Sequence, residues 1–188
     1  MEVLRTNEEN VEMIDEMEKD VSRLKLVADR FSKIGSVPQL QEEDLVVHLE
    51  NMVEYMQKRS PKNVKITLHK DIGDEDEVNI LLSGPLFDWV IENLIRNALD
   101  AMEGKGNIDI FLKNEPRQVF IDIKDTGKGI PKSSFKKVFQ PGYSTKQRGW
   151  GLGLSLAKRI INNYHHGTIS VKCSEIGVGT TFRIHFIR

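Results

Sequence analysis

The sequence predicts a two-layer α/β sandwich, in which one mixed sheet is covered by helices on one face, preceded by a long N-terminal helix. Two observations support this fold class. Residues 1–35 carry apolar side chains at alternating spacings of three and four, the pattern of a helix that packs along its length. From residue 63 onward, runs of alternating apolar residues typical of strands are interleaved with helical segments, as expected for layered α/β structure.

The composition excludes several classes of protein. The 188 residues include 27 Lys and Arg against 28 Asp and Glu, so the formal charge is −1 and the sequence lacks the basic surplus of many nucleic-acid binders. Cys173 is the single cysteine, which rules out an internal disulfide and a multi-cysteine zinc site. No uncharged run approaches the roughly 20 apolar residues of a membrane span. We therefore expect a soluble, cytoplasmic chain that contacts neither nucleic acid nor membrane.

The N-terminal helix carries a heptad seam. Its apolar residues are Ile14, Met17, Val21, Leu24, Ala28 and Phe31. This spacing predicts packing against a partner helix, although one amphipathic helix folded onto its own domain would show the same pattern. Val27 and Ile34 widen the apolar stripe, which favours a helical bundle.

The rest of the chain divides into a linker, residues 36–43, and a folded domain, residues 44–188. Gly35 and Pro38 end the first helix and mark the linker. Helices are predicted over residues 44–58, from about 85 to 104, and up to about 164. Strands are predicted over residues 64–68, 78–82, 107–113, 118–124, 168–173 and 180–187. The stretch between residues 125 and 153 is rich in glycine and predicted to be irregular.

Two asparagines stand out in the helix that follows Pro85. Asn93 and Asn97 are four residues apart and therefore lie on one helical face, beside the apolar stripe that faces the core. Asparagine is a poor helix former in such an interior position. The pair could present carboxamide oxygens to a hydrated Mg²⁺ ion. Two surface amides would give the same pattern, so the pair alone does not decide.

Three glycine-containing segments complete the candidate chemistry. Residues 125–130 place Asp125 at a strand end before two glycines, where a carboxylate could accept from an exocyclic amine, although an ordinary Asp-Gly turn would look the same. Residues 149–154 bring glycines to a helix entrance, a weak indication of phosphate binding that matches neither a P-loop nor a dinucleotide fingerprint. Residues 177–182 form a glycine-rich turn into the last strand.

In this order and spacing, the four segments resemble the N, G1, G2 and G3 boxes of the ATP-binding domain of sensor histidine kinases, within the superfamily that includes gyrase, the heat-shock chaperone ATPases and the mismatch-repair ATPases. Residues 135–143 also resemble the phenylalanine box of these kinases. The resemblance covers residues 44–188 and implies a Bergerat-type ATP-binding fold with ATP and Mg²⁺ as cofactors. The N-terminal helix resembles the second helix of the dimerisation hairpin, which implies a homodimer and a response regulator as partners.

The resemblance also implies roles for individual residues. Asp125 would hold the adenine amino group, with Thr180 supporting it through water, and Asn93 and Asn97 would hold Mg²⁺ or its waters. The other nucleotide-binding positions would be Gly127, Gly129, Gly149, Gly151, Leu152 and Gly153.

A lid over residues 131–148 follows from the same comparison. Lys146 and Arg148 would face the terminal phosphate, where cations stabilise charge on the transferring group. We expect this segment to be mobile without nucleotide, with Phe139 and Tyr143 closing over the site when the phosphates bind. A permanently packed loop with Phe135 and Phe139 in the core is the alternative.

Two features depart from the family pattern. A sensor kinase needs an acceptor histidine followed by an acid and, a few residues on, a proline. None of the five histidines fits: His48, His69, His165, His166 and His185. The chain is therefore expected to be a truncated piece of a longer kinase. Trp150 stands where some kinases have a polar side chain, and its role stays open.

The leading interpretation is ATP-dependent phosphorylation of a protein histidine that feeds a response regulator. The alternatives are an ATPase of the same fold and a non-catalytic, nucleotide-dependent interaction module. The hydrolysing relatives place a glutamate base where Asn93 stands, and an amide cannot deprotonate water. Glu92 is adjacent but points about 100° away around the helix.

Overall fold

The computed structural model of the chain describes residues 38–73, 77–145 and 150–188. The compact unit that they build extends from Gln39 to Arg188. The predicted N-terminal helix and its seam lie outside the described residues, so that helix stays a prediction. Within the described part, no helix is long and apolar enough to cross a membrane.

The described residues of this unit form three helices and seven strands, which agree closely with the predicted elements except for β1. In chain order they are β1 (Gln41–Asp44), α1 (Leu45–Arg59), β2 (Val64–Asp71), β3 (Asn79–Leu82), α2 (Gly84–Ala101), β4 (Gly106–Glu115), β5 (Gln118–Asp125), α3 (Gly153–Arg159), β6 (Thr168–Glu175) and β7 (Gly179–Ile187). Two short 3₁₀ turns, Lys132–Ser134 and Lys137–Phe139, lie between β5 and α3, and a π-helical turn, Ile160–Tyr164, extends α3. β1 falls in the stretch predicted as linker.

Five strands form one mixed sheet in the order β2-β4-β5-β7-β6. β2 and β4 are parallel, and the other three pairs are antiparallel. β1 and β3 form a separate antiparallel pair that leads into α1 and α2. The α/β sandwich that the sequence predicts is confirmed.

The two faces of the large sheet differ in polarity because side chains alternate along each strand. One face is apolar and covered by the helices. Its buried residues include Ile108, Ile110, Leu112, Val119, Ile121, Ile123, Phe182, Ile184 and Phe186. On the opposite face, Asp122 receives two hydrogen bonds from Arg183, at 2.6 and 2.7 Å, and one from Lys172 at 2.8 Å. Burial alone would raise the pKa of Asp122, but these cations outweigh it and lower the pKa.

α1 begins at a well-formed cap. The Asp44 side chain accepts hydrogen bonds from the backbone N–H groups of Val46 and Val78, both at 3.0 Å. One carboxylate therefore satisfies a donor of the first turn and ties the helix start to the strand that leads to α2. Ser60 and Pro61 follow the helix directly, as the sequence predicts.

α2 has no side-chain cap of its own, and its first turn is held by residues from other elements. The backbone N–H of Ser83 donates to Nε2 of the buried His165 at 3.2 Å. His48 on α1 contacts Asp88 through Nδ1 at 2.6 Å and Glu43 through Nε2 at 3.2 Å. Burial lowers the pKa of His48, but both carboxylates outweigh it and raise the pKa. The start of α2 is thus fixed by tertiary contacts.

The edge strand β2 is covered by the side chain of Gln57 from α1. Its Nε2 donates to the carbonyl of Val64 at 3.0 Å, and its Oε1 accepts from the backbone N–H of Ile66 at 2.8 Å. The carboxamide thus satisfies the two backbone groups that a neighbouring strand would otherwise bind.

The buried His165 predicts a stability change with pH. Burial, and to a smaller extent the nearby His166, lowers the pKa of His165 to about 4, from 6.5 in the unfolded chain. The native state holds the ring neutral, so stability falls as the pH falls below 6.5, by about 2 kcal/mol at pH 5. We expect urea unfolding of the His165→Gln variant to lose this part of the pH dependence between pH 7 and 5.

A matched control is His166→Asn, which removes the exposed neighbouring imidazole and accepts the positive φ of 53° at that position. This variant should keep most of the acid sensitivity of the parent, because burial is the larger cause of the low His165 pKa. An equal acid sensitivity in the His165→Gln variant would contradict the assignment.

Candidate active site

The two asparagines of α2 lie at the centre of the candidate site. Asn93 and Asn97 are half-buried and lie one helical turn apart, beside the buried stripe of that helix. Gly153, the first residue of α3, packs directly against Asn93, and a Cβ at that position would collide with Oδ1 of the asparagine. The predicted glycine-rich helix entrance is therefore next to the predicted amide pair.

Asp125 is the last residue of β5, and it is almost fully buried, with 3% of its surface exposed. Its Oδ1 accepts a hydrogen bond from the backbone N–H of Gly127 at 2.8 Å. Burial raises the pKa of this carboxyl, and the backbone N–H groups of Gly127 and Thr180 offset only part of that rise. Thr180 is its register partner on β7, so both side chains point to the helix-covered face.

The loop after Asp125 is held against the end of α2. The backbone N–H of Lys128 donates to the carbonyl of Ala101 at 3.0 Å. A Cβ at Gly127 would lie 2.7 to 2.8 Å from atoms of Ala101. The resemblance gave Gly127 a role in nucleotide approach, and its contact with α2 is an independent reason for glycine at this position.

The turn between β6 and β7 closes over the same loop. The backbone N–H of Gly177 donates to the carbonyl of Lys128 at 2.9 Å. Gly129 has a φ of +75°, and a Cβ there would collide with the carbonyl oxygen of Glu175. A Cβ at Gly179 would collide with the carbonyl oxygen of Asp125. The second and fourth motifs are therefore packed backbone against backbone.

Ser174 joins these two segments, although no pattern in the sequence predicted this role. Its Oγ accepts from the backbone N–H of Ile130 at 2.7 Å and donates to the carbonyl of Gly179 at 2.8 Å. The same Oγ lies 2.9 Å from Oγ1 of Thr180. A serine in a polar, alternating strand carries no distinctive pattern, and its role depends on a pairing between strands.

The segment predicted to be a lid is partly packed. Phe139 is 7% exposed and meets the ring of Phe182 edge-on, with 6.2 Å between the centroids. Tyr143 donates through its hydroxyl to Oγ of Ser134 at 3.1 Å. Phe139 is therefore already part of the core in this structure, as the alternative interpretation of the lid holds, whereas Phe135 is only half-buried.

The tip of the predicted lid stays a prediction. Lys146, Arg148 and Gly149 lie outside the described residues. Beyond them, the backbone carbonyl of Gly151 accepts from the N–H of Gly142 at 3.1 Å, and Leu152 is half-buried. Trp150 is 63% exposed.

The residues present fit a magnesium ion that keeps waters and phosphate oxygens as its other ligands. In the described part of the chain, Nδ2 of Asn93 is buried without a hydrogen-bond partner, so no protein contact at that nitrogen fixes the orientation of the carboxamide. The same part holds no cluster of three or more His, Cys, Asp or Glu residues that could form a metal site alone. Amide oxygens are suitable ligands for Mg²⁺ in this role.

Glu92 is engaged away from the amide pair. It accepts from Nε of Arg96 at 2.8 Å, one turn along the helix. A carboxylate held in this ion pair on the helix surface is poorly placed to activate a water beside Asn93. The geometry thus suits nucleotide binding better than base-catalysed hydrolysis.

Residues 85–188, more than half of the chain, match the family described as histidine kinase-, DNA gyrase B- and HSP90-like ATPases. The chain belongs to this family of ATP-binding domains. The relatives it matches within that family include sensor histidine kinases.

Two of these relatives align with nearly the whole chain. Sporulation kinase A of Bacillus subtilis is 28% identical over 191 residues, which cover 96% of this chain and 30% of that protein. The alginate biosynthesis sensor protein KinB of Pseudomonas aeruginosa is 30% identical over 178 residues, which cover 91% and 29%. The chain spans about a third of the length of these two relatives.

Solved structures support the fold. The catalytic domain of histidine kinase ThkA has a TM-score of 0.70 at 24% identity, covering 79% of this chain and 95% of that one. Full-length ShkA in complex with AMPPNP has a TM-score of 0.73 at 22% identity, covering 89% and 36%. ThkA in complex with the response regulator TrrA also reaches 0.73 at 22%, covering 90% and 48%.

Two glycines allow a matched test of the loop packing. Gly129 and Gly142 have similar φ angles, +75° and +81°, so alanine strains the backbone at both, by about 1–2 kcal/mol. A Cβ at Gly142 would enter open space, whereas a Cβ at Gly129 would collide with the Glu175 carbonyl. We expect Gly129→Ala to lower the free energy of unfolding by at least about 2 kcal/mol more than Gly142→Ala, measured in urea. Equal losses would contradict the packing described here.

Proposed function

We propose that this chain is the ATP-binding catalytic part of a sensor histidine kinase, which transfers the γ-phosphate of ATP to a protein histidine for onward transfer to a response regulator. The observation that carries this proposal is the position of the Asn93 amide in a domain of this ATPase family. The amide packs against Gly153, and Glu92, the carboxylate next to Asn93 in sequence, is paired with Arg96. Such a site has the means to bind and orient ATP.

Asp125 would bind the exocyclic amine of adenine. Its carboxylate is buried and already oriented by the Gly127 N–H, so its second oxygen can accept from a ligand without reorganising. Thr180 lies alongside and would support the same group through a water.

Asn93 and Asn97 would hold Mg²⁺ or its waters through their carboxamide oxygens. When bound, the ion neutralises charge on the phosphates of ATP. Gly151, Leu152 and Gly153 would lie along the phosphate chain, because Gly153 is in contact with Asn93. Lys146 and Arg148 would provide cations for the terminal phosphate.

The transfer itself exchanges one bond to phosphorus for another. A nitrogen of the acceptor imidazole attacks the γ-phosphorus, and the bond from that phosphorus to the β,γ-bridging oxygen breaks. The bridging oxygen leaves with the electron pair as part of ADP. In this scheme the chain binds and orients ATP, excludes water and supplies no base.

The proposed organisation places residues 1–35 in the dimerisation and phosphotransfer hairpin, residues 36–43 in the linker and residues 44–188 in the catalytic domain. The seam from Ile14 to Phe31 would pair with a second copy in a homodimer. A histidine on a helix outside this sequence would be the acceptor.

The Asp125→Asn variant tests the adenine contact. The amide keeps the shape of the side chain but presents an N–H₂ group or a weaker acceptor to the base. Loss of a charge-assisted hydrogen bond should weaken ATP binding by about tenfold to a hundredfold, measured by titration calorimetry with MgATP. The control is Asp109→Asn on the outer face of β4, which should bind as the parent does. Unchanged affinity in Asp125→Asn would refute the assignment.

A second experiment separates the three candidate activities. The chain is incubated with γ-labelled ATP, with and without a separately produced acceptor hairpin. We expect an acid-labile label on the hairpin and little free phosphate without it. Multiple-turnover phosphate release without the hairpin would instead indicate an ATPase, and binding without either product would indicate an interaction module.

A further inference from the structure

His48 on α1 has each ring nitrogen against a carboxylate from a different element. Nδ1 lies 2.6 Å from Oδ1 of Asp88 on α2, and Nε2 lies 3.2 Å from Oε2 of Glu43 on β1. Packing fixes the ring: it meets Phe87 edge-on with 5.9 Å between the centroids, and a Cβ at Gly84 would lie 2.7 Å from its Cε1. The imidazole therefore joins the first strand of the domain to the start of α2.

The two contacts require two ring protons. A carboxylate only accepts hydrogen bonds, so each contact is a hydrogen bond only when the ring nitrogen in it carries a hydrogen. The imidazolium form meets both requirements. A neutral imidazole has one N–H and one lone pair, so it keeps one carboxylate and turns a lone pair toward the other. Because the contact with Glu43 is the longer of the two, we expect it to be the one that is lost.

The surroundings of the ring favour the imidazolium at neutral pH. Burial alone would lower the pKa of His48, but Asp88 and Glu43 together outweigh it and raise the pKa above 6.5. Within the part of the chain that the structure describes, these two carboxylates, one from α2 and one from β1, are the charged groups that act on the ring. Both contacts are therefore present below pH 6.5, and one is lost as the pH rises through a value above 6.5.

β1 is a weakly held strand for which one added contact matters. Among the described residues, its sheet consists of β1 and β3, each four residues long. A two-stranded ribbon of this kind is marginally stable unless it packs against another element. The side chain of Asp44 ties the last residue of β1 to the backbone of Val46 and Val78. Glu43 provides the contact from the strand to α2, through His48.

We propose that Glu43, His48 and Asp88 form a pH-sensitive clasp, in which the doubly protonated ring holds β1 against α1 and α2 and the loss of one ring proton releases β1. The clasp itself does not depend on the proposed function. Its consequence for phosphoryl transfer does, because β1 lies at the end of the proposed linker. Four released residues would add up to about 13 Å to the reach of that linker, and the length of a tether sets how often its two ends meet.

Hydrogen exchange of the full 188-residue chain, without nucleotide, tests the clasp. Protection factors, which remove the intrinsic pH dependence of exchange, are compared at about pH 6 and about pH 9. We expect the protection of the β1 and β3 amides to fall about fivefold over this range, a modest loss because both carboxylates are partly exposed. The amides of β4 in the large sheet are the internal reference and should keep their protection.

Glu43→Gln separates the charge of the ring from the contact itself. A carboxamide can accept from the imidazolium through its oxygen or donate to the neutral ring through its nitrogen, so it can bond to Nε2 in both states. In this variant the protection of β1 should become independent of pH. The matched control is Glu42→Gln, which neutralises the exposed neighbour on the other side of the strand and should keep the fall seen in the parent. A fall of equal size in Glu43→Gln and in the parent would overturn the proposal.

Titration of the His48 ring by NMR is an independent measurement. The ring should titrate above pH 6.5 in the parent, and its midpoint should drop in Glu43→Gln, which removes one of the two carboxylates. An unchanged midpoint would contradict the clasp. If Glu43→Gln does not fold, the parent decides, because β1 protection that does not change with pH would also overturn the proposal. None of these measurements uses ATP, so a failed clasp leaves the proposed ATP binding intact, and failed ATP binding leaves the clasp intact.

Discussion

The backbone of residues 126–130 is held between two elements that are distant in sequence, and the arrangement of the whole site depends on this. On one side, Lys128 bonds to the end of α2 and Gly127 touches Ala101. On the other, Gly177 bonds to Lys128 and the β6–β7 turn closes over Gly129. These contacts leave no room for a side chain at the glycines. Because the loop cannot shift without disturbing a helix or a hairpin, the buried Asp125 keeps a fixed position relative to the amides of α2.

The same logic applies to α2, whose start is secured by other parts of the fold. A helix with a side-chain cap could form its first turn alone, but α2 takes its partners from His165 and from the pair of His48 with Asp88. These contacts fix the position of Asn93 along the helix axis relative to His165 and to α1. Such preorganisation would serve the proposed phosphoryl transfer, a reaction in which most of the catalytic effect comes from orienting groups that already carry the needed charge.

Local sequence patterns predicted most of the helices and strands. The features that were not predicted depend on pairings between residues distant in sequence. Alternation predicted the strands because one face of the large sheet is largely apolar, and the spacing of Asn93 and Asn97 predicted their shared helical face. β1 escaped prediction because its four residues are all polar and it is a strand only through its pairing with β3. Ser174 escaped for the same reason: its importance arises from the strand order β5-β7-β6. Phe139, expected in a closing lid, is already in the core because its ring meets that of Phe182 on β7, which is distant in sequence.

Gln57 has a consequence for how the domain behaves at high concentration. An uncovered outer strand is a template on which a second molecule can add its own strand, the first step of many ordered aggregates. A single carboxamide prevents this at Val64 and Ile66 because it combines a donor and an acceptor at the spacing of a peptide group. Glutamate has the same shape but no donor, and its charge would face a carbonyl oxygen. Conversion of Gln57 to glutamate would therefore remove the hydrogen-bond donor to the Val64 carbonyl and leave this end of the edge strand open to pairing with a second molecule.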